Sequence, residues 1–447
     1  MTSAGPDGRS VLPADGHSLR RNIFYAVTGN GILNLCRLFV VVLLAKFAGA
    51  EIQGTYTYAS IALAAPVVLF CGLELRAAFV ADAGGEFTFG AYRALRSIGM
   101  TVATLVLAAI AFWTTRHDPS PARMWLILLV CGGRIMFGLA EVNWGVFQRR
   151  ERLDLMAWSN GLRGVALLVP FVLLFLLRGR APTGANDSTM AAVAWATGAY
   201  VAGWGAIWWF YDRPQAAGRG DVALAWTWRE LLRLARNTLP LGVVILLINL
   251  CETLTQWYVK RAAGEQAWAD LGYFGAMRVI TLGATFLIVQ VSTAAGNRLA
   301  HFYQRDLHAF VRLALRITGV AVLIGGATIL AAGLFGAGFL NALYTPKYGQ
   351  HATAFMILVS SQAIALLAAV FGIVTTHMRR FWIQVPVHLC VLAATAMAGA
   401  VLVTPEAPVL GGAWTTLVRH ITQTALYLVC VVLGVRWQRT ANKRDRI

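Results

Sequence analysis

"IFYAVTGNGILNLCRLFVVVLLAKFA", residues 23–48, holds a guanidinium, Arg37, in the middle of a run built almost wholly from apolar and small residues. A helix of about 20 such residues crosses the roughly 30 Å of bilayer hydrocarbon. The stretch therefore reads as a membrane span, and Arg37 as a charge placed where a charge is costly. Eleven further runs follow at 56–80, 98–113, 124–147, 156–177, 189–211, 239–259, 273–295, 310–335, 352–375, 382–403 and 411–435. Over the 447 residues 58% are hydrophobic and 13% charged, and the mean hydropathy is +0.63. That composition leaves too little polar surface for a water-soluble domain of this length. The runs are long and continuous rather than alternating, which excludes a transmembrane barrel. The fold expected is an all-α integral membrane protein of twelve transmembrane helices.

The net charge of +18 is explained by topology. Arginines crowd alternate loops, among them Arg20, Arg21, Arg93, Arg96, Arg149, Arg150, Arg152, Arg379 and Arg380, and few lie on the other side. By the positive-inside rule both termini are cytoplasmic and the protein sits in the cytoplasmic (inner) membrane. No nucleic-acid partner is expected. Residues 1–22 are polar and Gly-rich and no cleavage pattern follows the first span, so no cleavable leader is expected. Cys36, Cys71, Cys131, Cys251, Cys390 and Cys430 all fall within spans and read as small apolar packers. His388 and His420 have no second ligand at helical spacing, and no metal is expected.

The second half of the chain echoes the first. Asn22 and Asn237 open spans 215 positions apart, and "NLCR" at 34–37 meets "NLCE" at 249–252 at the same offset. Gly54 is echoed by Gly272, and "YRALRSIG" at 92–99 by "VRLALRITG" at 311–319. Six spans per half give the halves one orientation, hence two six-helix lobes related by a pseudo-two-fold axis normal to the membrane. The expected order is a tail at 1–22, a lobe at 23–212, a linker at 213–237, a lobe at 238–435 and a basic tail at 436–447. Within the linker, "WTWRELLRLARN" places Arg229, Arg233 and Arg236 on one face and reads as an interfacial helix.

Asn30, Asn34 and Arg37 fall at i, i+4 and i+7, a single polar stripe along the first span. The seventh span carries Asn249, Glu252, Thr253 and Gln256, with Glu252 at the position equivalent to Arg37. Further intramembrane charges are Arg134, Glu141, Arg163, Arg278 and Arg419. These groups must face protein or a wet cavity. Arginines outnumber carboxylates among them, so a surplus of positive charge is left for an anion such as a pyrophosphate, which a planar guanidinium suits. Two structural readings stand beside this: Arg37 bridging to Glu252, and Arg134, Arg163 or Arg419 capping carbonyls. The asparagines, Thr253 and Gln256 also serve as interhelical hydrogen-bonding groups.

With "RRNIFYAVTGN" at 20–30, "FAGAEIQGTYTYASIAL" at 47–63, "GLELRAAFVAD" at 72–82, "FGAYRALR" at 89–96 and "GYFGAMRVITL" at 272–282, the chain resembles polysaccharide flippases of the MOP exporter superfamily. That group includes O-antigen flippases, the lipid II flippase and the MATE exporters. The resemblance implies a cavity lined by spans one, two, seven and eight. It further implies alternating-access transport of an undecaprenyl-pyrophosphate-linked oligosaccharide for polysaccharide biosynthesis, with glycan polymerase and glycosyltransferases as partners of a monomeric transporter. Arg37 and Arg278 are its leading substrate contacts, with Asn30, Asn34, Arg134, Arg163 and Arg419 beside them. Glu252, Glu141 and Gln256 are candidates for a gate or for a coupling proton or sodium ion, the only cofactor envisaged. A MATE-like exporter of small molecules is the alternative. A membrane polymerase or glycosyltransferase is disfavoured, because the outer loops are short and carry only scattered carboxylates such as Asp187 and Glu406. No ATP-binding motif is present.

Overall fold

The structure is a computed structural model that describes residues 19–82, 86–118, 120–178, 187–217, 226–281, 283, 299, 302–303, 306–378 and 383–444. Every regular element among these is helical, as a chain in hydrocarbon requires when each backbone amide must find its partner internally. Eleven helices among the described residues are long and apolar enough to cross a membrane. Seven precede residue 263: α1 (Phe24–Ala48), α2 (Ala50–Val80), α3 (Phe89–Thr115), α4 (Pro121–Arg149), α5 (Leu153–Arg178), α6 (Asp187–Ala217) and α7 (Trp228–Ala262). A helix over 267–281, α8, begins the expected eighth span. Apart from Gly283, the rest of 273–295 lies outside the described residues, as do most of 1–22, residues 218–225 of the linker and 445–447. The last four are α9 (Leu307–Leu343), α10 (Ala352–Thr376), α11 (Gln384–Leu402) and α12 (Pro408–Gln438).

Two boundaries differ from the expectation. α3 starts at Phe89, nine residues before the apolar run, because Thr88 caps it by accepting from the Ala91 amide. Arg96 is therefore a buried helix residue and not a loop charge. The interfacial helix expected near Trp228 is the opening of α7, continuous with the span. Its Leu231 and Leu234 are buried, while Trp228 and Leu232 are exposed.

The chain clusters into two compact units. The first contains Met1–Val40, Val67–Leu177 and Ala191–Gly242. Its core packs Leu75, Phe79, Tyr92, Trp144 and Phe147 with Leu231 and Leu234. Within it α2 breaks at Leu73 and Glu74, both at φ 49°. Such left-handed backbone is uncommon for residues with a Cβ. Arg96 holds the break: its Nη1 donates to the Gly72 carbonyl at 2.8 Å and its Nε to the Gly138 carbonyl at 2.7 Å.

The second unit contains Val41–Pro66, Arg178–Met190 and Val243–Ile447. One core joins α9 and α10 through Phe310, Ile317, Leu366, Val370 and Val374. Another joins α7, α11 and α12 through Cys251, Val387, Val391 and Tyr427. Here the opening turns of α2 cross α8 with no side chain between them. A Cβ on Gly54 would strike the Trp268 carbonyl, and one on Gly272 would strike the Ala50 carbonyl. Trp268 stands 218 positions after Ala50, and Gly272 the same distance after Gly54. The contact is thus reciprocal, with each residue meeting its partner's repeat equivalent, the pattern that a two-fold relation imposes. Gly275 continues it at the same offset from Thr57, whose Oγ1 lies 2.5 Å from where a Gly275 Cβ would be.

Gly54→Ala and Gly272→Ala should each lower stability by about 1–3 kcal/mol, because two backbones must separate. Gly31→Ala, whose Cβ would meet nothing within 4 Å, should cost nothing. Thermal unfolding of the purified variants in detergent checks the contrast. Equal melting of all three would remove the crossing as a constraint.

Candidate functional site

In the first unit the polar stripe of α1 turns toward α4 and α5. Asn30 accepts from Asn160 Nδ2 at 3.0 Å and donates to the Ala26 carbonyl at 2.9 Å. Arg37 donates to Asn34 Oδ1 at 3.3 Å, and its guanidinium lies 5.0 Å from the centroid of Phe137. Cation–π placement of this kind holds a guanidinium without spending an acid. Arg134 is half-buried, one turn before Phe137 on the same helix.

Arg163 is fully buried and pairs with Asp212 at 2.5 Å. It also donates to Ser159 Oγ, and its guanidinium lies 5.3 Å from the Trp144 centroid. Asp212, in the π-helical turn Trp208–Asp212 within α6, is a partner that the sequence did not disclose. Arg163, offered by the sequence as a cavity residue or a carbonyl cap, is half of a fully buried ion pair. Glu141 likewise carries an ion pair, with Arg96. Its expected role as a gate or coupling acid would require displacing that guanidinium.

The second unit holds a cluster of one carboxylate and two guanidiniums. Glu252 on α7 receives Arg278 Nη2 from α8 and Arg419 Nη1 from α12 on the same carboxylate oxygen, the latter at 2.6 Å. Arg278 also donates to Gln362 Oε1 at 2.7 Å and to Thr281 Oγ1 at 3.2 Å. Arg419 reaches the Ile248 carbonyl at 3.4 Å, while its Nε finds no hydrogen-bond partner. Its contact with Glu252 is an ion pair without hydrogen-bond alignment, since Nη1 too lacks an aligned acceptor. His420 sits beside the cluster, with Nδ1 2.8 Å from Ser361 Oγ. Among the described residues two guanidiniums thus share one carboxylate, leaving one surplus positive charge in a buried site. Glu252, offered by the sequence as a gate or coupling acid or as a bridge to Arg37, is held by Arg278 and Arg419. Gln256, one turn further along α7, is buried with its amide nitrogen unpartnered.

Asp212 neutralises Arg163, but the buried Arg96 takes Glu141, so the surplus of arginine read from the sequence is unchanged. It persists at Glu252. Among the described residues no group of three or more His, Cys, Asp or Glu is arranged to hold a metal ion.

The helical fold is shared with solved MATE transporters and with the lipid II flippase MurJ. The chain matches an inward-facing multidrug resistance MATE family transporter with a TM-score of 0.68 at 12% identity, over 97% of this chain and 98% of that one. It matches the lipid II flippase MurJ, in an inward closed conformation, with a TM-score of 0.67 at 9% identity, over 95% and 93%. In sequence it is 19% identical over 414 residues to the capsular polysaccharide biosynthesis protein CapF of Staphylococcus aureus, covering 91% of this chain and 98% of that protein. No protein-family model matches the chain.

Breaking a buried pair from one side leaves an uncompensated charge and costs about 3–5 kcal/mol, whereas replacing both members by apolar residues is often neutral. Asp212→Ala should therefore unfold at clearly lower temperature, and Arg163→Met with Asp212→Leu should recover most of the loss. Melting curves of the three proteins check this. A double variant no better than the single one would show that the charges do more than neutralise each other.

Proposed function

We propose that the protein is a flippase for an undecaprenyl-pyrophosphate-linked oligosaccharide, working by alternating access in the cytoplasmic membrane with both termini cytoplasmic. The observation that carries the reading is the sharing of Glu252 by Arg278 and Arg419, which leaves a buried cationic site with no carboxylate to spare. An exporter of organic cations needs an acid free to meet its cargo. Here Glu252, Glu141 and Asp212 are each already engaged by arginine. A pyrophosphate offers oxygens that guanidinium groups pair with well. The similarity to CapF and MurJ, one named for capsular polysaccharide biosynthesis and the other for flipping lipid II, supports a lipid-linked glycan as cargo.

Arg278 and Arg37 are the proposed contacts to the anionic head, with Arg134 and Arg419 adding to the field and Asn30 and Asn34 orienting the α1 stripe. Arg163 is assigned to structure. Glu252 is read as a fixed acid that positions Arg278. A coupling proton or sodium ion at that carboxylate would have to compete with two guanidiniums.

Arg278→Ala leaves Glu252 and Arg419 as a neutral pair, so the fold should persist while the surplus charge disappears. Surface glycan export by Arg278→Ala and by Arg37→Ala should fall at least about tenfold, the loss of one good charged contact, at unchanged membrane abundance. Arg278→Lys should restore part of it. Full glycan export by both alanine variants, together with lost efflux of an organic cation, would instead establish the drug-exporter reading.

A further inference from the structure

In the second unit α8, α9 and α10 enclose a groove of about 450 Å³. Its inner wall is Phe355, Val359 and Gly336, all buried, and its rim is Phe335 and Phe339, both exposed on the outer face of α9. Thr328, Ala332 and Gly336 follow one another at i, i+4 and i+8, so a strip of small residues floors the channel between the rings. Thr281 and Gln362 form its polar end, and both are hydrogen-bonded to Arg278. The groove thus runs from the surface of a membrane-spanning helix to the residues that hold the surplus cation.

A void of this size left empty would forfeit the contacts of everything lining it. Water is a poor filler, since an ordered water needs two to four polar partners and the walls are almost entirely hydrocarbon. α9 is among the least buried spans, with Leu323, Leu330, Leu334 and Phe335 all exposed, so the rim opens on an apolar face of a candidate membrane span. A hydrocarbon chain is the filler that suits such walls.

We propose that this groove is a subsite for the isoprenoid tail of the carried lipid, threaded between Phe335, Phe339 and Phe355 with its polar end directed to Arg278. The inference rests on the flippase reading above. A tail seated here lies against Gln362 and Thr281, so its arrival and the positioning of Arg278 are linked through two hydrogen bonds. With cytoplasmic termini, the groove falls in the outer half of the bilayer, where a translocated lipid is delivered.

The test uses undecaprenyl pyrophosphate carrying a diazirine in its isoprenoid chain, photolysed with the full-length protein in nanodiscs of phosphatidylethanolamine and phosphatidylglycerol. Labelled peptides should contain residues 328–339 and 355–362. Labelling should fall at least about tenfold with excess unlabelled undecaprenyl pyrophosphate, or when Ala331→Trp fills the mouth from its exposed side. Ala331→Trp alters the exposed rim, so unchanged melting confirms that its fold is intact, and Ala332→Phe fills the same channel from its floor. Labelling confined to other helices overturns the subsite and leaves the flippase reading standing. Equal labelling by a diazirine phosphatidylglycerol that undecaprenyl pyrophosphate does not displace also overturns it, assigning the groove to bulk lipid. Failure of the polyprenyl probe to label the protein anywhere overturns both readings.

Discussion

Everything charged within this helix bundle answers to the cost of holding an ion in hydrocarbon. A guanidinium there needs acids, carbonyls or rings around it, and its neighbours are chosen accordingly. Arg163 has an acid, a hydroxyl and an indole face. Arg96 has two backbone carbonyls and an acid, and in meeting them it joins α2, α3 and α4 at the one place where α2 loses its helical path. These two pairs are internally neutral and tie helices together. The Glu252 cluster solves the problem incompletely, with one acid for two guanidiniums. Incomplete compensation is costly to a fold, and the proposed anionic cargo rests on it.

The glycine crossing of α2 and α8 imposes the second constraint. Where two helices meet through repeat-equivalent residues, a side chain added on either one must find room against the other's backbone. Gly54 and Gly272 meet this by having none. The backbones then touch, and the carbonyls of Ala50 and Trp268 occupy the space that a methyl group would need. Thr57 and Gly275 show the same position resolved unevenly, with a hydroxyl on one side fitting into the hollow left by a glycine on the other.

Much of this was legible in the sequence, and the rest was hidden for an identifiable reason. Apolar runs disclosed the spans, and the helical spacing of Asn30, Asn34 and Arg37 disclosed an inward edge that does meet Asn160 and Phe137. The repeat was visible as an offset between Gly54 and Gly272, although nothing in that offset said that the two would touch. Partnerships between helices left no local trace. Asp212 lies 49 residues from Arg163 and Glu141 lies 45 from Arg96, and no periodicity links such positions. Arg96 was misplaced because hydropathy ends a span at its last apolar residue, whereas the helix continues to its cap at Thr88.

Arg37 and Glu252 occupy equivalent places in the two repeats and carry opposite charge, and their surroundings now give that difference a meaning. A repeat that kept a cation at both places would have no acid with which to anchor a second guanidinium from α8. Glu252 provides that acid, and Arg278 and Arg419 gather on it. Arg37 meets an amide oxygen and the face of a ring. The two repeats have thus taken separate routes to presenting positive charge in a membrane. One uses a single arginine laid on an aromatic surface, and the other uses two arginines held together by one carboxylate.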